Sequence, residues 1–145
     1  MNAISQIRSL PLFQRALWLD LCTGIPTAAL LIAGAGALAP LLGLPEGLLR
    51  NAGLVLLPFL VLLALTLRAA RPHRFAAWSI IEINLAWVAA SFWVLYGAGL
   101  APTPTGSVVV IGQALAVLGI AALQFVGWRQ LGSAPEYIGS VAARA

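Results

Sequence analysis

Two acidic residues, Asp20 and Glu82, interrupt long apolar stretches of this 145-residue chain. On insertion scales an acidic or basic side chain at the centre of a membrane helix costs roughly 2.5–3.5 kcal/mol, so each one points to pairing, binding or proton transfer. Further polar groups share the same surroundings: Asn84, Gln124 and, where an apolar run ends, Arg68. Together Asp20, Glu82, Asn84, Gln124 and Arg68 could line a polar cavity open to the cytoplasm. The two acids would be its ionisable members, with Arg68 or Arg15 as counter-ion. The same residues could instead tie helices together through hydrogen bonds, each worth under about 2 kcal/mol in a bundle.

The elements that position these residues follow from run length. Four apolar segments, at about 16–38, 48–67, 75–97 and 107–128, each have roughly the 20 residues that cross a ~30 Å hydrocarbon core. Breakers separate them: Pro40, Gly43 and Pro45, then Arg71-Pro72-His73-Arg74, then Gly99, Pro102, Pro104 and Gly106. Loops this short make consecutive helices antiparallel neighbours. The expected fold class is all-α, a four-helix transmembrane bundle over residues 1–131 with a polar cytoplasmic tail over 132–145. Ile4, Ile7 and Leu10 stand near helical spacing, which places residues 1–15 on the cytoplasmic membrane surface. The first segment does not read as a cleaved signal peptide: it is longer than the usual apolar core of one and contains Asp20 and Pro26.

Composition fixes the solvent. The chain is 61% hydrophobic and 8% charged, with a mean hydropathy of +0.99, whereas a soluble domain is about a quarter charged. Lipid must cover most of the lateral surface. Every basic residue is arginine, which suggests a GC-rich bacterial genome. Arg8, Arg15, Arg68, Arg71, Arg74, Arg129 and Arg144 fall on one side of the four segments and only Arg50 on the other. The positive-inside rule then puts both termini in the cytoplasm, as a multi-pass protein of the bacterial inner membrane. These arginines stand singly beside apolar segments, so the net charge of +4 is an orientation signal and not a nucleic-acid footprint.

Helical geometry constrains the candidate site. Glu82 and Asn84 are two residues apart, or about 200° around a helix axis, so they cannot both face one bundle centre. Asn84 aligns with Trp87, Val88 and Ser91; Glu82 aligns with Trp78, Leu85, Ala86 and Ala89. Protein contact on both faces would fit a homodimer or a membrane partner subunit. Gln113 lies near the outer end of the fourth segment, too far from Asp20 to share its cavity, and is expected to bond neighbouring backbone. Thr23 and Thr27 are placed to satisfy carbonyls near the mid-span Pro26, and Pro58 sits mid-span in the second segment. Trp18, Trp78 and Trp128 mark cytoplasmic helix ends and Tyr96 an outer one, as interfacial anchors do. Cys22 reads as a small buried thiol. A lone loop histidine, His73, and one cysteine offer no metal or haem ligand set, so no metal and no cofactor is expected. A faint repeat pairs Pro45-Glu46-Gly47 and Gly53 with Pro104-Thr105-Gly106 and Gly112.

The chain resembles small four-helix bacterial inner-membrane proteins without an assigned activity. The resemblance rests on Leu17-Trp18-Leu19-Asp20, Leu44-Pro45 with Leu49-Arg50 and Gly53, Asn84-Leu85-Ala86-Trp87, Gly112-Gln113-Ala114-Leu115 and Leu123-Gln124. It implies topology and no activity. Small multidrug-resistance transporters are an analogy only: they too have four helices and an acid in the first, but this chain is longer, with one-sided arginines and its second acid in the third segment.

The function expected first is a non-enzymatic accessory or partner-binding subunit. A small proton-coupled transporter using Asp20 or Glu82 is the alternative, and a membrane redox or lipid-modifying enzyme is disfavoured by the single cysteine. A topology reporter fused after Arg144, or placed near His73, should read cytoplasmic, and one near Glu46 or Thr103 periplasmic. A periplasmic signal from the Arg144 fusion would overturn the orientation.

Overall fold

The computed structural model describes residues 10–69 and 72–132; the expectations for the chain start, for Arg8, Arg71 and Arg144 and for the tail lie outside the described residues. Among these residues the chain is all-helical, with five helices and no strand: α1 (Leu12–Ala33), α2 (Ala35–Leu42), α3 (Glu46–Arg68), α4 (Arg74–Tyr96) and α5 (Pro104–Gly132). All but α2 are long and apolar enough to cross a membrane, which marks a multi-pass membrane protein. Leu and Ala, strong helix formers, dominate the spans.

The first segment departs from a single continuous helix. Gly34 leaves helical geometry at φ −97°, ψ 2°, although its N–H still bonds Leu30 O at 2.8 Å. Ala37 and Leu38 N–H both return to Gly34 O, which restarts the chain as the short α2. Pro40, expected in a loop, lies inside α2; the turn proper is Gly43, at φ +66°. Helix α1 begins at Leu12, about one turn before the expected start, so Asp20 sits deeper than its sequence position suggests.

Packing gives the bundle two distinct ends. At one, Phe13 and Leu17 of α1 meet Leu63 of α3 and Ala77 and Ile80 of α4, with Trp128 of α5 against them. At the other, Ala35, Leu42, Leu44 and Leu49 pack with Val94 and Val110. The spans therefore alternate in direction. The helix ends carrying Arg15, Arg68, Arg74 and Arg129 belong to the first end, and that carrying Arg50 to the second. Helix α1 packs closely on α3 and on α5, and α5 on α4, while the α3–α4 seam is sparse. Large apolar side chains such as Val55, Val61, Leu65, Trp93 and Val108 are exposed on the outside, where lipid is the fitting solvent.

Close backbone approaches lock the ends. A Cβ on Gly127 would lie 2.4 Å from Phe13 N, pinning the end of α5 to the start of α1. At the opposite end a Cβ on Gly106 would lie 2.0 Å from Leu42 O. There Thr103 joins three elements. Its N–H bonds Leu42 O at 3.0 Å, its hydroxyl donates to Leu41 O at 2.7 Å, and its Oγ1 caps α5 by accepting from Gly106 N–H. The Gly47–Gly53 and Gly106–Gly112 positions of the faint repeat are not equivalent in packing. Gly47 and Gly112 have open space where a Cβ would go, while Gly53 and Gly106 do not. Gly106→Ala should lower unfolding stability in mild detergent by about 1–3 kcal/mol, as overpacking against backbone does. Gly112→Ala should be neutral or stabilising, since Ala favours the helix by roughly 1 kcal/mol. Equal stability of the two variants in a denaturant titration would contradict the tight contact.

Candidate functional site

Three spans each turn one polar side chain inward to the same point. Asp20 of α1 shares its face with Phe13, Ala16 and Leu17; Asn84 of α4 with Ala77, Ile80 and Ser91; Gln124 of α5 with Ile120, Ala121 and Gly127. The helix period places each on its span's buried stripe. Exposure is 5% for Asp20, 3% for Asn84 and 0% for Gln124. At 1.5 Å per residue they lie about 12–15 Å from the helix ends at the arginine-rich end of the bundle. Arg15 on α1 and Arg129 on α5 each stand five residues from the cluster, toward that end, so the cluster lies in the arginine-side half of the spans.

The three side chains form one closed network. Asn84 Nδ2 donates to Asp20 Oδ2 at 2.7 Å and to Gln124 Oε1 at 3.0 Å, and Gln124 Nε2 donates to Asp20 Oδ2 at 2.7 Å. The orientation of both amides is forced, because Oδ2 acts here as an acceptor and only the NH2 groups can serve it. Among the described residues no fully buried side-chain nitrogen or oxygen lacks a partner. Yet Asp20 Oδ1 and Asn84 Oδ1 receive no hydrogen bond from any described residue. Both oxygens must therefore reach open space.

That space is a cavity of about 190 Å³. Asp20 and Asn84 lie at one end of it; Thr23, Thr27, Phe59, Ile83, Trp87 and Gln113 form much of the rest. Its walls run from Asp20 to Thr27 along α1 and from Ile120 back to Gln113 along α5, away from the arginine-rich end. Beyond the cluster on that side, Phe13, Leu17, Leu63 and Ile80 are fully buried. The acid–amide cluster is a floor, and an apolar plug closes the arginine-rich end of the bundle beneath it. The wall residues Val55 and Ile83, on either side of the sparse α3–α4 seam, are exposed, so the cavity opens laterally there.

The predicted site residues separate into two groups. Asp20, Asn84 and Gln124 come together. Glu82 does not: it points about 200° away from Asn84 and is exposed, with no hydrogen bond or ion pair to any described residue. Arg68 is exposed at the end of α3, outside the network, so the carboxylate of Asp20 is served by neutral amides and not by a counter-ion. Arg15 is likewise exposed.

Gln113 corrects the expectation that it cannot share a cavity with Asp20, because the cavity runs along the helix axes for several turns. Its partners are side chains: its Oε1 accepts from Trp87 Nε1 at 2.9 Å, and its Nε2 donates to Ser91 Oγ at 2.8 Å. Trp87, Ser91 and Asn84 share one face of α4, which makes that face a polar seam against α5. The Thr23 hydroxyl bonds Leu19 O and Asp20 O, and the Thr27 hydroxyl bonds Thr23 O. Cys22, expected to be buried, is exposed on the outer side of α1.

Removing one amide should cost more than removing the exposed acid. Asn84→Leu leaves Asp20 Oδ2 with a single donor and should lower bundle stability by about 1–2 kcal/mol, the upper range for interhelical hydrogen bonds in membranes. Glu82→Gln should stay within about 0.5 kcal/mol, as for surface substitutions. The reverse order in detergent unfolding would place the structural acid at Glu82. No family model, no curated protein and no solved structure matches the chain.

Proposed function

We propose that this chain is a small, non-enzymatic, multi-pass protein of the bacterial inner membrane that works as a proton-coupled transporter, with Asp20 as its solute- and proton-binding group and both termini cytoplasmic. One observation carries the reading: a buried carboxyl group inside the bundle has one oxygen held by two amides and its other oxygen open to a cavity. Confinement of Arg15, Arg68, Arg74 and Arg129 to the helix ends at one end of the bundle supports the orientation. Glu82 has no part in this site, because it lies on the opposite face of α4.

Transport requires that the cavity open alternately to each side, which a single cysteine can report. In a Cys22→Ser background, Val117→Cys in the cavity wall should react with a membrane-impermeant maleimide from outside intact cells and also from the inner face of inverted vesicles. Reaction from one side only, or from neither, would overturn the transport reading.

A second reading, the accessory or partner-binding subunit, is favoured by Glu82. An unpaired carboxylate on a membrane-facing surface is costly, and the exposed Ala86 and Ala89 beside it allow close helix approach. A homodimer or a membrane partner subunit covering this face would remove the acid from lipid. Ala86→Cys or Ala89→Cys, with Cys22 removed, should then form crosslinks between chains or to a partner in native membranes. A strictly monomeric protein with both positions labelled freely by lipid-soluble probes would exclude that interface.

A further inference from the structure

We propose that the cavity above Asp20 takes a primary ammonium group carried on a small apolar body. This deepens the transport reading and rests on it. The argument is an account of donors and acceptors. Among the lining side chains, all donors but one N–H of Gln113 are committed inside the protein. The Thr23 and Thr27 hydroxyl hydrogens go to backbone carbonyls, the Trp87 N–H goes to Gln113, and Asn84 Nδ2 serves both Asp20 and Gln124. Gln113 Nε2 is engaged by Ser91. What remains open is an acceptor set, Asp20 Oδ1 and Asn84 Oδ1 on the floor with the Thr23 and Thr27 oxygens along α1. A floor with open acceptors and no free donor, in a cavity whose one spare N–H lies at its far end on Gln113, selects a ligand that brings its own N–H groups.

Charge and size narrow the class. Asp20 makes no contact with a cation among the described residues, so a cationic donor gains a charge-assisted bond that a neutral one does not. A hard divalent metal ion is a poor fit, since it takes six or more oxygen ligands in a compact shell, and the floor offers two. The remaining wall is Val55, Leu56, Phe59, Ile83 and Ile120 with the ring of Trp87, a surface for an alkyl or aryl group, and an aromatic face suits a nearby cation. The volume of about 190 Å³ equals roughly six waters at ~30 Å³ each, the scale of a small amine. A quaternary ammonium would bring charge without N–H donors and would leave both floor oxygens unanswered.

The test uses the full chain in nanodiscs of phosphatidylcholine and phosphatidylglycerol, titrated calorimetrically with benzylammonium, benzyl alcohol and benzyltrimethylammonium. Benzylammonium should bind at least about tenfold more tightly than either analogue, and Asp20→Asn should weaken it roughly 10- to 100-fold, the worth of a charge-assisted hydrogen bond. Ala116→Phe, which fills the cavity without touching the acid–amide cluster, should abolish binding and guards against misfolding of the Asp20 variant. Adding phosphatidylethanolamine separates two sources of the same group. If binding of free amine falls, lipid headgroups take the site; if it is unchanged, soluble amines do; both outcomes support the assignment. Equal affinity for benzyl alcohol, preference for the quaternary ion, or binding unaffected by Asp20→Asn and Ala116→Phe would overturn it. A Val117→Cys cavity labelled from both sides but indifferent to benzylammonium would overturn this assignment alone. Benzylammonium binding with one-sided labelling would overturn transport alone.

Discussion

A carboxyl group buried between apolar helices must find its hydrogen bonds inside the protein, and the packing of three of the four spans answers to that constraint at Asp20. Its Oδ2 draws an amide from α4 and an amide from α5, and those amides also bond each other. Each span can meet this demand only in one rotation about its axis, because a turn of 100° would carry Asn84 or Gln124 into lipid. The network therefore sets the rotational register of α1, α4 and α5 in a solvent where apolar side chains are equally content facing lipid or protein. Shape then sets the distances. Gly127 admits the backbone of Phe13 at one end, and Gly106 admits Leu42 at the other, so the spans are clamped above and below the polar cluster.

Helix α3 stands apart from this arrangement. It is held to α1 by apolar packing and by the close approach of Gly53 to Ala28 and Leu31, and its buried polar side chain, Thr66, bonds its own Leu62 O. It contributes no polar link to the cluster, and its seam with α4 is sparse. The cavity opens where polar cross-links are missing, which is the expected place: packing alone resists separation less than packing with hydrogen bonds. The bundle thus has three helices tied by hydrogen bonds around Asp20 and a fourth, α3, held to α1 by packing and touching α4 only sparsely.

Much of the fold was legible in the sequence because lipid imposes length and composition directly. Four runs of about 20 apolar residues become four spans, and arginines crowd the ends of one side. What the sequence hid has a common physical cause. In a soluble helix the core-facing stripe differs in polarity from the rest, but a membrane helix is apolar all round, so the pattern does not say which face is inside. Asp20 and Glu82 therefore look alike in sequence, and only the 200° separation of Glu82 from Asn84 hinted that one of them must face outward. Cys22 was misplaced for the same reason. The break at Gly34 was hidden because a glycine in an Ala- and Leu-rich run is equally at home inside a helix. The partners of Gln113 depended on the pairing of α4 with α5, which no local pattern encodes.

The contrast between the two acids shows how the same side chain can stabilise or burden a membrane fold. Asp20 is surrounded by groups that bring hydrogen-bond donors without bringing charge. A salt bridge to Arg68 would have satisfied the carboxylate more fully, and would have left nothing for a ligand to gain. Neutral amides supply hydrogen bonds to the carboxyl group and leave the Coulombic term unspent. Leaving Oδ1 toward the cavity sacrifices one hydrogen bond of the fold, a loss on the order of 1 kcal/mol, and keeps a directional acceptor available inside an apolar wall. A bundle selected only for stability would close that gap with one further amide or hydroxyl, and Thr23, one turn along the same face of α1, has a hydroxyl that instead turns back to Leu19 O and Asp20 O. The open oxygen at Asp20 is thus a property of the arrangement as a whole, maintained by neighbours that spend their donors elsewhere.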